Sequence, residues 1–289
     1  MNRTKKSAVL AVALAVALSA CGSSSKSDSG SSGSGAAAGS YGNCKVSGKA
    51  GSVSVKPVTA GVLTVQTSLP APGWFNGDDA ASVKDGYEYC MAANIAYRAG
   101  LSSVKLVNVD FDQLVSAGTK DFDIALAEIS ITDKRKQVVD FSIPYFASDI
   151  GVLVKNGVKV ASTEDLKGVK LGVQKGTTGA DFALAKINPD AKVFDSSDLM
   201  FAALDSGAVD AVMTDSSIVL QQEKKSSGSE KVVGQYKTGE SYGALYPKGG
   251  ANNAAFDQAI QAMIDEKVFN DLASTYLAGD PSTVPFFTA

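Results

Sequence analysis

The chain has no histidine and only three cysteines among its 289 residues. The absence of histidine excludes the usual zinc sites, a Ser-His-Asp arrangement and the most common general base of enzymes. The sequence also lacks GxxxxGKS/T and GxGxxG, the two glycine-rich patterns that bind nucleotide phosphates. We therefore expect neither a metal nor a cofactor.

Basic residues are fewer than acidic residues. Without the first 20 residues, which hold three basic and no acidic side chains, 24 basic and 30 acidic residues remain, a net charge of −6. An acidic protein of this kind is not expected to bind nucleic acid. No apolar run after residue 20 is long enough to span a bilayer, so we expect nothing in the remaining chain to cross a membrane.

The N-terminal segment has the pattern of an exported protein. Basic residues precede the apolar run Val9–Leu18, and Leu18-Ser-Ala-Cys21 follows it. This ending resembles the bacterial lipobox, which predicts a signal peptide over residues 1–20 and a lipid on Cys21. The alternative is an ordinary signal peptide or a short anchor. The Ser/Gly/Ala-rich stretch Gly22–Ser40 predicts a flexible tether, because it cannot bury enough apolar surface to fold.

Cys44 and Cys90 are the cysteines that remain after Cys21. Export would bring them into an oxidising compartment, so a disulfide between them is expected. The alternative is two separate buried thiols.

Short apolar runs alternate with segments of helical periodicity along the globular part of the chain. The predicted strands are Val62–Gln66, Val104–Val109, Asp123–Ala127, Lys170–Val173, Lys192–Phe194 and Val209–Met213. This alternation predicts an α/β architecture with mostly parallel sheets. Ligands of open α/β sheets bind beyond the carboxyl ends of the strands, so the polar strand ends are the candidate site.

The first polar strand end combines Glu128, Ser130 and Thr132 with Arg135. The three residues with alternate spacing share one face of an extended chain, and Thr132 is suited to cap a following helix. Arg135 would lie in the first turn of that helix, where a cation is not favoured by the helix dipole. An arginine in this position indicates a carboxylate-binding site, or otherwise a surface pair with Asp133 or Asp140.

Two further polar strand ends lie downstream. Thr177 and Thr178 begin a predicted helix, where free N–H groups can bind an anion or where the threonines simply cap the helix. Asp215 closes another strand and could either accept a cation such as an ammonium group or cap the next helix.

Seven motifs, in this order, resemble the polar amino-acid family of bacterial extracellular solute-binding proteins, which are partners of ABC importers. They are GVLTV (61–65), GYEY (86–89), FDQLV (111–115), DIALA (123–127), SITDKRKQVVDFSIPY (130–145), LKGVKLGV (166–173) and VDAV (209–212). The resemblance implies a type II periplasmic-binding fold, with two α/β lobes joined by two crossover strands and a ligand cleft between them. It places lobe one at 58–153 plus 242–289, lobe two at 154–241, and a lipidated tether with an N-terminal extension at 21–57.

The resemblance also implies roles for individual residues. Arg135 would hold the α-carboxylate of the ligand with help from Ser130 and from the loop of Thr177 and Thr178. Asp215 would receive the α-ammonium group. Aromatic contacts would come from Phe111 and, on the opposite side, from Trp74 or Phe75.

Glu128 departs from the family pattern, which commonly has a small or aromatic residue at this position. A second carboxylate near the ammonium site would favour a cationic ligand, unless Lys175 or Lys134 neutralises it. Cys90 also replaces a common aspartate, which the disulfide to Cys44 would explain.

The resemblance implies a binding protein and not an enzyme: a monomeric lipoprotein on the outer face of the cytoplasmic membrane that captures a polar amino acid for an ABC permease and its ATPase. One alternative is a ligand-sensing partner of a membrane receptor. The other is a dehydratase-type enzyme on the same fold, for which Glu128 would be the candidate general acid. The identity of the amino acid is not predicted.

Overall fold

A computed structural model describes residues 40–288. The predicted signal peptide, Cys21 and most of the tether lie outside the described residues. The strands are β1 Val62–Thr67, β2 Ser103–Asn108, β3 Ile124–Ala125, β4 Asp140–Phe141, β5 Phe146–Lys155, β6 Leu171–Gln174, β7 Lys192–Phe194, β8 Ala211–Asp215, β9 Glu230–Tyr242 and β10 Leu245–Tyr246. The α-helices are α1 Tyr87–Arg98, α2 Phe111–Val115, α3 Asp133–Lys136, α4 Thr163–Lys167, α5 Thr178–Phe182, α6 Ser197–Ser206, α7 Ser216–Lys225, α8 Asn253–Asp265 and α9 Val268–Tyr276. A π-helical turn covers Ala183–Ile187, and a 3₁₀ turn covers Pro281–Thr283.

Two five-stranded sheets form the centres of two lobes. Their strand orders are β2-β1-β3-β10-β4 in lobe one and β7-β6-β8-β5-β9 in lobe two. β1 pairs in parallel with β2 and β3, and β6 pairs in parallel with β7 and β8. β10 and β5, however, are antiparallel to both of their neighbours. The expectation of mostly parallel sheets is therefore wrong, because the chain returns to each sheet through long-range strands that run in the opposite direction.

Each lobe has its own apolar core. In lobe one, α1 is buried along almost its whole length between the sheet and helices α8 and α9. Arg98 near the end of α1 is only 2% exposed and forms a two-bond ion pair with Glu266, with N–O distances of 3.0 and 2.6 Å. Lobe two packs α4, α5 and the π-helical turn against one face of its sheet, with α6 and α7 against the other.

β5 and β9 connect the lobes. Their first and last residues, Phe146 and Tyr242, pair with each other beside the core of lobe one, whereas Ile150 and Val154 pair with β8 in lobe two. The expected boundary between residues 153 and 154 would cut through this second sheet. We therefore propose that the crossovers are 146–149 and 237–242.

The C-terminal segment after α9 returns to lobe two. Gln235 in β9 donates hydrogen bonds to the carbonyl oxygens of Pro281 and Val284, at 2.7 and 3.0 Å, and Phe287 packs edge-on against Tyr236. Residues 281–288 thus belong with lobe two and not, as expected, with lobe one. Within the described part of the chain, no helix combines the length and apolar character that crossing a bilayer requires.

The N-terminal extension is attached to lobe one rather than free. Tyr41, Cys44 and Val55 pack against the core of this lobe, and the sulfur atoms of Cys44 and Cys90 lie 1.98 Å apart in a disulfide. The bond joins the extension to the first turn of α1 and closes a loop between residues 46 positions apart.

We expect the Cys44→Ser/Cys90→Ser double variant to lose about 4 kcal/mol of unfolding free energy, because a cross-link across a loop of this length restricts the unfolded chain. Urea denaturation of the oxidised protein and the variant would measure this difference. A reducing agent should lower the stability of the parent protein but leave that of the variant unchanged. Equal stability of the oxidised protein and the variant would contradict the expectation.

Candidate functional site

A cavity lies between the two lobes, at the carboxyl ends of β3, β6 and β8. Lobe one contributes Ser68, Pro70, Ala71, Phe111, Ala127, Glu128, Ser130 and Arg135. Lobe two contributes Gln174, Thr177, Thr178, Ser197, Thr214, Asp215 and Ile218. Seven of the eight residues predicted for the site therefore share one cavity, although they come from segments up to about a hundred residues apart in the sequence.

Arg135 projects into the cavity from the short helix α3. Thr132 caps this helix by accepting a hydrogen bond from the backbone N–H of Arg135 at 3.2 Å. The guanidinium group donates to the carbonyl oxygen of Ser130 at 2.6 Å and, across the cleft, to that of Gly176 at 2.9 Å. It also lies over the ring of Phe111, 5.4 Å from the centroid. Carbonyl groups and an aromatic face thus hold a buried guanidinium that is not paired directly with a carboxylate among the described residues.

The two threonines of lobe two have different positions. Thr177 caps α5, since its hydroxyl accepts from the N–H of Ala180 at 3.0 Å and donates to the carbonyl of Gln174 at 2.8 Å. Thr178 donates its hydroxyl to Glu240 in β9 at 2.7 Å. Both threonines also line the cavity, so the capping and the ligand-facing interpretations of this turn are compatible.

Asp215 ends β8 and faces the cavity from lobe two, with 5% of its surface exposed. Burial raises the pKa of its carboxyl to about 7, and the negative charge of Glu240 adds to this effect. The hydroxyl of Tyr242 and the charge of Arg135 act in the opposite direction but do not cancel it. A buried carboxyl that is costly to ionise is a good receptor for a cation, because the cation repays the desolvation of the carboxylate.

Glu128 also lines the cavity, and its backbone has a φ of +50°. Its backbone N–H donates to both carboxylate oxygens of Glu88, at 3.1 and 3.3 Å, and the hydroxyl of Tyr145 also donates to Glu88. Burial raises the pKa of Glu88 to about 7, and it raises the pKa of Glu128 together with the neighbouring charge of Glu88. Glu128 therefore lines the cavity, and the carboxyl group of Glu88 lies directly behind it.

Trp74 does not belong to the cavity, contrary to expectation. Its side chain is 1% exposed and packs edge-on against Tyr87, Phe146 and Tyr242 in the core of lobe one, and Phe75 is buried there as well. Pro70 and Ala71, from the same segment of the chain, line the cavity instead. Trp74 is buried because Phe146 and Tyr242, at the ends of the crossover strands, pack against it where these strands meet lobe one.

The lobes touch each other at the rim of the cavity. Lys175, in the loop after β6, forms an ion pair with Asp112 of α2 at 2.8 Å. Gly176 lies directly against Asp112, and the guanidinium of Arg135 reaches its carbonyl. A more exposed pair joins Lys134 to Asp181 at 3.6 Å. These contacts connect the loop after β6 in lobe two to the part of lobe one that carries Arg135 and α2.

Several lining residues were not predicted from the sequence. Ser68, Gln174, Ser197 and Thr214 each contribute to the wall, and Glu88 supports Glu128 from below. Gln174 and Thr214 lie at or beside the ends of strands β6 and β8, which is the signal that could have identified them. Glu88 had no such signal, because its role depends on a contact with a residue 40 positions later.

The raised pKa values have a consequence for stability without ligand. Glu88 and Asp215 bind protons more tightly in the folded protein than in the unfolded chain, so the unfolding free energy should fall as pH rises from about 4.5 to about 7. We expect a loss of at least ~2 kcal/mol between pH 5 and pH 8 in urea denaturation. Asp215→Asn should reduce this loss. A stability that increases over the same interval would contradict the assignment.

Two α/β lobes that enclose a charged cavity define the class of two-lobed solute-binding proteins, which close on a small ligand. The resemblance noted in the sequence is confirmed at the level of the family model. The chain belongs to the bacterial extracellular solute-binding proteins, family 3, whose model matches residues 63–279.

Several described proteins and solved structures are similar to this chain over most of its length. A protein of Neisseria gonorrhoeae described as "Probable histidine-binding protein" is 31% identical over 213 residues, which are 71% of this chain and 79% of that protein. An ancestral arginine-binding protein bound to arginine superposes with a TM-score of 0.67 at 32% identity, covering 75% and 98% of the two chains. An amino acid ABC transporter substrate-binding protein from Streptococcus pneumoniae, bound to L-arginine, gives 0.65 at 26% identity, covering 76% and 96%.

Proposed function

We propose that this protein captures an amino acid outside the cytoplasmic membrane and delivers it to an ABC importer. The observation that supports this most strongly is the pairing of opposite charges across one cavity. Arg135 from lobe one can receive a carboxylate, and Asp215 from lobe two can receive an ammonium group. An amino acid carries both groups on one carbon atom.

The physical chemistry of enclosure favours a zwitterion. Both charges of an amino acid lose hydration when the lobes close, and each must then be paired to avoid a loss of several kcal/mol. Because the two partners belong to different lobes, both charges can be paired only in the closed arrangement. Binding therefore stabilises closure, and closure is a shape that a membrane permease can recognise.

The names of the similar proteins support the same proposal. One is described as a probable histidine-binding protein, two have arginine bound, and one of these two is described as an amino acid ABC transporter substrate-binding protein. The roles of Ser130, Phe111, Thr177 and Thr178 follow the same scheme: the hydroxyl groups and the loop complete the carboxylate site, and the aromatic ring packs on the ligand side chain.

We also propose that a lipid on Cys21 anchors the protein to the outer face of the membrane. The lipobox-like ending and the Ser/Gly-rich tether support this, since a tether of this composition lets the lobes move freely near a permease. Metabolic labelling with a radioactive fatty acid should mark the parent protein but not Cys21→Ser. Labelling of both proteins, or of neither, would contradict the anchor.

A thermal-shift screen of the full chain in detergent tests the central proposal. A compound that binds only the folded state must raise the melting temperature. The screen should include the common amino acids, their decarboxylated amines and their carboxyl amides. Stabilisation by an amino acid, but not by its amine or its amide, is expected if both ends of the zwitterion are bound. No stabilisation by any amino acid would overturn the proposal.

A further inference from the structure

One buried acidic side chain of the cavity has no partner in the α-carboxylate and α-ammonium groups that every amino acid carries. If Arg135 receives the carboxylate of the ligand and Asp215 its ammonium group, Glu128 remains as a second acidic residue that lines the cavity. Glu128 is only 9% exposed, and its Oε1 has no hydrogen-bond partner among the described residues. A buried carboxyl oxygen without a partner is costly, and in native proteins such groups usually have a specific purpose.

The two lysines that could have neutralised Glu128 are engaged elsewhere. Lys175 pairs with Asp112 at 2.8 Å, and Lys134 pairs with Asp181 at 3.6 Å on the surface. Among the described residues that line the cavity, Arg135 is the one basic side chain, against two carboxyl groups. The wall thus has one more acidic than basic group. Glu88 lies directly behind Glu128 and adds a further carboxyl group.

The backbone at Glu128 is also held in an unusual conformation. A φ of +50° is unfavourable for a residue with a long side chain and costs roughly 1–2 kcal/mol. Glu88 fixes this conformation by accepting the N–H of Glu128 with both oxygens, and Tyr145 fixes Glu88 in turn. Strained residues of this kind are concentrated at ligand sites, where the surrounding structure maintains the strain.

We propose that the ligand is an amino acid with a second cationic group, a guanidinium or an ammonium, and that Glu128 receives this group. The inference rests on the proposed amino-acid binding and extends it to a class of ligand. A dibasic amino acid supplies one carboxylate and two cations, which matches Arg135, Asp215 and Glu128 one to one. A neutral amino acid would leave Glu128 buried beside Glu88 without a cation to offset it.

Matched ligands test this proposal without any mutation. Arginine and citrulline have almost the same shape, but citrulline has a neutral urea group in place of the guanidinium, and lysine and norleucine form a similar pair for an ammonium group. Titration calorimetry of the full chain should show at least ~30-fold tighter binding of one or both cationic members, as expected for a buried charge pair. The comparison of arginine with lysine then distinguishes the two cation types.

Glu128→Gln assigns the preference to this residue. The substitution keeps the size of the side chain and removes its acidic group, so it should weaken binding of the cationic ligand at least ~30-fold more than binding of its neutral counterpart. Glu164→Gln is the matched control, since Glu164 lies on the surface of α4 and pairs with Lys167. The control should retain the full preference for the cation.

Three results would overturn the inference. Equal affinity of the parent protein for arginine and citrulline, and for lysine and norleucine, would show that no second cation is recognised, while the proposed function would stand. Equal weakening of both members of a pair by Glu128→Gln would assign Glu128 to the α-ammonium group. Binding of neither member of either pair, together with a screen in which no amino acid stabilises the protein, would remove the proposed function as well.

Discussion

Arg135→Ala is expected to lose most of its affinity for the amino acid while the protein remains folded. The guanidinium is buried in the cavity wall and is the only basic group there among the described residues, so its loss leaves the ligand carboxylate without a partner. Removing one member of a buried charge pair costs about 2–5 kcal/mol, which corresponds to a loss of affinity of roughly 30-fold to several thousandfold. Titration calorimetry with the ligand found in the screen would measure this loss.

The neighbouring lysine provides a matched control. Lys134 precedes Arg135 in the same short helix, but its side chain is 84% exposed and lies outside the cavity. Lys134→Ala should therefore bind the ligand with an affinity within a few-fold of the parent protein. Arg135→Lys should recover only part of the lost affinity, because an ammonium group cannot form two parallel hydrogen bonds with a carboxylate. Binding by Arg135→Ala within threefold of the parent would refute the assignment of the carboxylate site.

The sequence predicts this site well where local patterns determine the structure. Thr132 at the end of an extended segment and Arg135 three residues later are sufficient to predict a capped helix that presents a guanidinium, and the structure has this arrangement. Asp215 is similar, since a polar residue that ends a buried strand lies at the ligand-binding edge of the sheet.

Prediction fails where the outcome depends on distant parts of the chain. The expected strand Asp123–Ala127 is reduced to Ile124–Ala125, because the chain leaves the sheet to place Glu128 against Glu88. β9 is absent from the predicted strands, since its glycines and charged residues obscure the alternating pattern, yet it pairs with β5 over most of its length. Trp74 is predicted to line the cavity but is buried in the core of lobe one. Its packing partners, Phe146 and Tyr242, belong to the crossover strands, which are distant from Trp74 in the sequence.

Gly176→Ala should weaken ligand binding by at least about tenfold, because it interferes with closure of the lobes. Gly176 has a φ of +78°, and a Cβ atom added to it would lie 2.9 Å from the Cβ and 3.1 Å from the Cα of Asp112 in the opposite lobe. Backbone and Cβ atoms cannot move aside as the end of a flexible side chain can, so the lobes would have to separate. Separation would also break the hydrogen bond from Arg135 to the Gly176 carbonyl and the ion pair of Lys175 with Asp112.

Gly157→Ala separates the effect on closure from the cost of the backbone conformation. Gly157 has a φ of +94°, and a Cβ atom added there would meet no described atom within 4 Å. Both variants carry the cost of a side chain in the left-handed region, about 1–2 kcal/mol, but only Gly176→Ala introduces a contact between lobes. Small-angle X-ray scattering at saturating ligand should therefore show the compact form for the parent and Gly157→Ala, and a larger radius of gyration for Gly176→Ala. Compaction of all three proteins with similar affinity would show that the contact between Gly176 and Asp112 does not limit closure.

The expected result has a consequence for the order of binding and closure. If the contact between Gly176 and Asp112 limits closure, the loop carrying Thr177 and Thr178 reaches the ligand carboxylate only when it touches α2. Binding of that carboxylate and closure of the lobes are then one event.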